Sequence, residues 1–159
     1  MINGYKCFNE GLINQYGLKF EPNTIYHEDR DVKFHHGGFH MCTNLEDTLR
    51  YFDAMNNKVD IAKVTGFGKI DKYNDEYNEY FDMYATEYMI IDYVLTREEI
   101  INYSLGLSHM GLKRFVSSYK LTEEEIELFL QRYSRDSVIR DAIEYYQKGN
   151  NKVYIKKKY

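Results

Sequence analysis

The stretch His35-His36-Gly37-Gly38-Phe39-His40-Met41-Cys42 places three histidines and a cysteine within eight residues. Histidine and cysteine are the usual ligands of zinc. In a strand, His36, His40 and Cys42 would project from one face, because side chains alternate with a period of two. A structural zinc site takes four ligands. His27 and His109 stand alone, and no CxxC or HxxxH pair completes a set. A Cys42–His40 nucleophilic pair is the other chemistry these residue types could support, and it needs a base delivered from a second element. The stretch also has a purely structural reading: a turn at Gly37-Gly38, a strand from Phe39 to Cys42, and a helix beginning at Thr43. Phe39 and Met41 then share one face, and His40 and Cys42 the other.

Around this stretch the first two-thirds of the chain reads as strands with one helix. Gly4–Phe8 is a short strand between turn formers. Leu18–Phe20 and Thr24–His27 flank Glu21-Pro22-Asn23, which predicts a hairpin with Pro22 at the second turn position. Thr43-Asn44-Leu45-Glu46 fits a capping box, and Leu45, Leu49 and Phe52 share a helical face behind it. Val59–Thr65 alternates as a strand, with Gly66 and Gly68 marking a bulge or turn. The acidic, Tyr-rich stretch from Asp71 to Asp82 reads as a surface loop. Tyr84–Leu95 is the longest β-like run and puts Glu87, Met89, Ile91 and Tyr93 on one face.

From Thr96 the period changes to that of a helix. Thr96-Arg97-Glu98-Glu99 and Thr122-Glu123-Glu124-Glu125 are two further capping boxes. Leu105–Ser118 is helical. Ile126, Phe129, Leu130 and Tyr133 recur at helical spacing, and Asp136–Lys148 forms another helix closed by Gly149. Val153–Ile155 predicts a short terminal strand.

The chain has 159 residues and 43% hydrophobic content, which suits one packed domain with an appendage. Net charge is −4, which argues against general nucleic-acid affinity. Only the basic tail, Lys152, Lys156, Lys157 and Lys158, could make such a contact. Cys7 and Cys42 are the only cysteines, so no disulfide framework and a reducing compartment are expected. The start MINGYKCF has no apolar leader region, and no run approaches the length of a membrane span. A soluble, cytoplasmic protein without a membrane partner is expected.

Two resemblances add to this. The Gly4-Tyr5-Lys6-Cys7-Phe8 strand, the hairpin ending near Tyr26, and Gly38-Phe39-His40-Met41-Cys42 with its LEDTLRYF helix resemble a small uncharacterised domain of phage and giant-virus (mimivirus-like) proteins. The Gly66-Phe67-Gly68-Lys69-Ile70 strand end belongs to the same pattern, and the likeness spans about residues 4–101. It implies a viral or phage-type module acting in the host cytoplasm, without a cofactor and with a protein partner. More weakly, Gly38–Cys42 with the helix carrying Tyr51 resembles the second motif of ADP-ribosyltransferases of the poly-ADP-ribose polymerase type. Glu87-Tyr88-Met89-Ile90-Ile91-Asp92 resembles the third. That likeness implies NAD as cofactor, Glu87 as the catalytic carboxylate, and Lys6, His40 and Tyr51 around the cofactor. Lys6 stands where the family offers His or Arg, and His40 where it offers a stacking Tyr.

The fold expected is α+β, a mostly antiparallel sheet with one helix in the N-terminal half, followed by C-terminal helices. Residues 1–103 form the α+β domain, and residues 104–159 a helical extension packed on it, ending in the basic tail. The expected function is a binding module with an ADP-ribosyltransferase-like sheet. The alternative is NAD-dependent ADP-ribosyl transfer to a host macromolecule.

Overall fold

The computed structural model describes residues 1–33, 36–73 and 82–149. These form an α+β fold with an antiparallel sheet. The strands are β1 (Ile2–Asn9), β2 (Ile25–His27), β3 (Phe39–Cys42), β4 (Val59–Lys72) and β5 (Met83–Val94). One helical turn, α1 (Leu45–Thr48), runs into a 3-10 turn at Leu49–Tyr51. After the sheet come α2 (Arg97–Leu105), α3 (His109–Ser118), α4 (Glu123–Arg132) and α5 (Ser137–Ala142), the last continued by a π turn at Ile143–Gln147.

The strands are ordered β2-β5-β3-β1-β4, and β5 pairs also with β4. That extra pairing closes β1, β4, β5 and β3 into a ring, with β2 as an outer edge on β5. Phe8, Met41, Ala62, Val64, Met89 and Ile91 fill the ring interior and are all buried. Closure requires glycine where strands crowd. A Cβ on Gly4 would stand 2.6 Å from the Cys42 carbonyl oxygen, and one on Gly66 would stand 2.5 Å from Thr86 Cγ2.

The outer side of β1 and β4 carries the second core. Cys7 and Ile61 pack there with Leu45 and Leu49, and against Leu112, Phe115, Val116, Phe129, Ile139 and Ile143 of the C-terminal helices. At about 25 cal/mol per Å² of apolar surface removed from water, a shared core of this kind is what holds the helices to the sheet.

The capping boxes at Thr96 and Thr122 form as read, with Glu99 and Glu125 reciprocating. The one at Thr43 does not. Its hydroxyl donates to Asp82 Oδ2 at 2.7 Å, the helix begins one residue later behind Asn44, and Glu46 turns inward. The predicted hairpin is also absent. The turn exists, with Asn23 at φ 59°, but β2 pairs with β5, and Asn23 N–H donates to the Ile91 carbonyl. Leu18–Phe20 forms no strand; Phe20 instead closes one mouth of the ring against Phe8, Tyr26 and Phe39. The helix read over Leu105–Ser118 is interrupted at Gly106, and α3 restarts behind the Ser108 cap. Val153–Ile155, the basic tail, His35 and most of the acidic stretch after Tyr73 lie outside the described residues.

Candidate functional site

Lys6 and His40 meet through main chain. Lys6 pairs with Ala62, on the interior side of β1, and its ammonium donates to the His40 carbonyl at 2.6 Å. Among the described residues no carboxylate pairs with it, and burial pushes its pKa down to about 8. His40 stands opposite Ala85, and alternation puts its ring on the outer side with Cys42. Both cysteines are buried and free, and burial pushes each thiol up to about 12. Cys42 is therefore a thiol at neutral pH, without the thiolate that nucleophilic catalysis requires.

Tyr51 is 52% exposed on the 3-10 turn, its hydroxyl directed at Met83 Sδ. Glu87 sits apart from all three. Its Oε2 accepts from His27 Nε2 at 3.1 Å and its Oε1 from the Lys69 N–H at 3.1 Å. The expected common face of Glu87, Met89, Ile91 and Tyr93 is broken by two register shifts, at Lys63/Val64 and Phe67/Ile70. Met89 and Ile91 are buried while Tyr93 is 48% exposed. At the second shift Gly68 takes φ +81°, the bulge anticipated from the glycines, and it leaves Glu87 beside the β4 main chain.

Glu87 thereby belongs to a cluster built by three strands. His27 lies between two carboxylates, with Nδ1 3.0 Å from Asp29 Oδ1 and Nε2 on Glu87. The Glu87 hydrogen bond, then that of Asp29, raises His27 above the usual histidine range. In return His27, followed by the Lys69 amide, holds Glu87 below the usual carboxylate range. The His27 ring rests on Tyr88 at 4.6 Å, and Tyr88 stacks on Phe67 at 5.1 Å. Register continues the pattern: His27–Tyr88–Phe67 form one cross-strand row, and Ile25–Ile90–Thr65–Asn3 the next. No described element packs across these rows; Ile25 is 63% exposed, and Tyr88, Phe67 and Ile90 are half-buried.

A cleft of about 570 Å³ lies elsewhere, between the sheet and the helices, with Ala54, Val59, Ile61, Leu95 and Tyr119 in its wall. It contains none of Lys6, His40, Tyr51 and Glu87. Its most prominent cation, Arg97, is already bonded to Glu125, the Lys120 carbonyl and Tyr119. Among the described residues, no three His, Cys, Asp or Glu side chains are grouped to hold a metal ion, and no helix is long and apolar enough to cross a membrane.

His27, Asp29, Phe67 and Tyr88 are the site residues that sequence reasoning missed. His27 and Glu87 are 60 positions apart, and only the β2–β5 pairing joins them. The one local signal was the Gly66–Gly68 pair.

No curated protein and no solved structure matches the chain. Residues 2–91 match a family described as a domain of unknown function, DUF7666. That span runs from the first residue of β1 into β5 and includes the ring, β2 and the His27–Glu87 cluster, while the four longer helices lie beyond it. With more than half of its length matched, the chain belongs to the DUF7666 family.

Proposed function

We propose that the chain is a binding module, and that the open rows on β2, β5 and β4 are where it takes a protein partner. The observation that carries this reading is the apolar and aromatic surface formed by Ile25, Ile90, Tyr88 and Phe67 on the sheet's outer side. Partly exposed apolar and aromatic side chains lying side by side on one face are the kind of surface that interaction sites use. Asp29, 96% exposed at its side chain, and Glu87 rim the patch. A partner with an apolar centre and a basic edge fits it. In this reading, which also draws on the sequence resemblance to phage and giant-virus domains, the proposed partner is a protein of the infected cell's cytoplasm.

The experiment is site-specific photo-crosslinking in extract of the host cell, with the reactive side chain at Ile25 and, as control, at Leu128 on α4. The reading requires a protein captured from position 25, not from 128, and lost in Tyr88→Asp. Equal capture from both positions overturns it. Nicotinamide release from NAD by the wild-type protein, abolished in Glu87→Gln, would replace it with the transferase.

A further inference from the structure

His27 has an acceptor-only carboxylate oxygen within hydrogen-bond distance of each ring nitrogen. A neutral imidazole carries one N–H, so one of its nitrogens would then turn a lone pair toward a carboxylate oxygen about 3 Å away. The geometry is that of an imidazolium, donating on both sides. Its two partners come from different elements: Asp29 follows β2, and Glu87 lies on β5. β2 is only three residues long; apart from His27 it is tied down by the packing of Tyr26 on Phe20 and the interior cluster, and by main-chain hydrogen bonds to β5, continued by Glu28 N–H to the Glu87 carbonyl at 2.9 Å and by Asn23 N–H to the Ile91 carbonyl. Three residues of edge strand are a marginal structure by themselves.

We infer that His27 is a proton-held latch: protonated, it pins the β2 edge to β5 and clamps Glu87, and on losing its proton it lets that edge open. The charged groups facing it are Asp29 beside β2, Glu87 on β5, and Lys69 on β4, which acts on Glu87 through both its amide and its charge. Glu28 is occupied by Arg30 in the adjoining turn. Tyr88 supplies the ring beneath the imidazole, and cation–π attraction to it also vanishes with the proton.

The direction in pH follows from linkage. A histidine raised by its folded partners contributes stability that is complete below its unfolded value of about 6.5 and is lost as pH rises through its own higher value. Opening through His27 therefore sets in as pH rises above about 6.5, while protonation of Glu87, held low by the same contact, is a separate event in acid. The latch lies on the face assigned above to a partner, but its test involves no partner, so each can fail without the other.

The test is NMR titration of the His27 ring together with hydrogen exchange at the Glu28 amide, both on the whole chain. The expected result is a midpoint above about 6.5, with Glu28 protection, corrected for intrinsic exchange, falling about tenfold for each unit of that excess. The Leu95 amide, which donates to the Ile61 carbonyl, is the control and keeps its protection. In His27→Gln the pH dependence at Glu28 disappears. A midpoint at or below about 6.5, flat protection in the wild type, or an unchanged profile in His27→Gln overturns the inference.

Discussion

Gln147 donates its side-chain amide to the Val116 carbonyl at 2.6 Å, tying the end of the last helical segment to the end of α3. The same amide nitrogen reaches the Tyr119 carbonyl at 2.8 Å, and its oxygen accepts from Leu121 N–H at 3.0 Å. The last carbonyls of a helix have no partner within it, and here a buried glutamine supplies one from across the chain. Gln147→Glu replaces the donor by an acceptor and strands two buried carbonyls. We expect a loss of about 2–4 kcal/mol at neutral pH in urea unfolding, smaller in acid where the new carboxyl can donate. An unchanged midpoint would mean that the π turn does not hold α3.

Arg114 reaches Asp47 at 2.7 Å and Glu46 at 3.6 Å, and Glu46 also accepts from the Tyr103 hydroxyl. The Asp47 side chain is 1% exposed, and burial raises its pKa despite the guanidinium. Arg114→Met leaves that carboxylate with only the weaker attraction of Arg50 and the Asn44 hydrogen bond. Breaking a buried pair from one side costs about 3–5 kcal/mol, here reduced because Arg114 is itself part-exposed. The deficit should shrink as pH falls and Asp47 is protonated. Adding Asp47→Asn should recover most of it, and a double variant no better than the single would remove the charge from the explanation.

Gly66 faces Thr86 and Met41 across the ring, with Thr86 Cγ2 2.5 Å and Met41 Cε 2.7 Å from the position a Cβ would take. Thr86 is fully buried and β-branched, so it has little room to turn. Gly66→Ala should cost about 1–3 kcal/mol by overpacking, read as a lowered thermal midpoint. An unchanged midpoint would show that Met41 yields freely.

Lys6 carries a charge that the folded state disfavours. With its pKa at about 8 against 10.5, the unfolded chain binds more protons between those values, so stability rises with pH across that interval. Lys6→Met has no such proton to lose. The comparison is the change in unfolding midpoint from about pH 7 to about pH 10 in the two proteins, with wild type gaining relative to the variant. Parallel changes would mean that the ammonium is solvated.

The elements most legible in the sequence were those whose causes are local. The capping boxes at Thr96 and Thr122 form because all their partners lie within four residues. Thr43 carries the same pattern and fails, because Asp82, 39 residues away, takes its hydroxyl while Tyr103 and Arg114 draw Glu46 inward. The hairpin failed for a related reason: an apolar triplet does not name its partner, and the edge of β5 took β2.

What the sequence determined by itself is the α+β class, the change from strand to helix near Thr96, and the bulge-forming glycines after Val59–Thr65. Tertiary structure decided the ring closure and the site. Alternation fixes which side chains share a face only along an unbroken strand. Two register shifts in the β4–β5 ladder reset it, parting Glu87 and Tyr93 from the buried face of Met89 and Ile91. Which residues then faced Glu87 depended on main-chain pairing between distant segments, an energy that no local pattern of residue types encodes. That pairing set Glu87 against His27 and left Lys6 bound to the His40 carbonyl inside the ring.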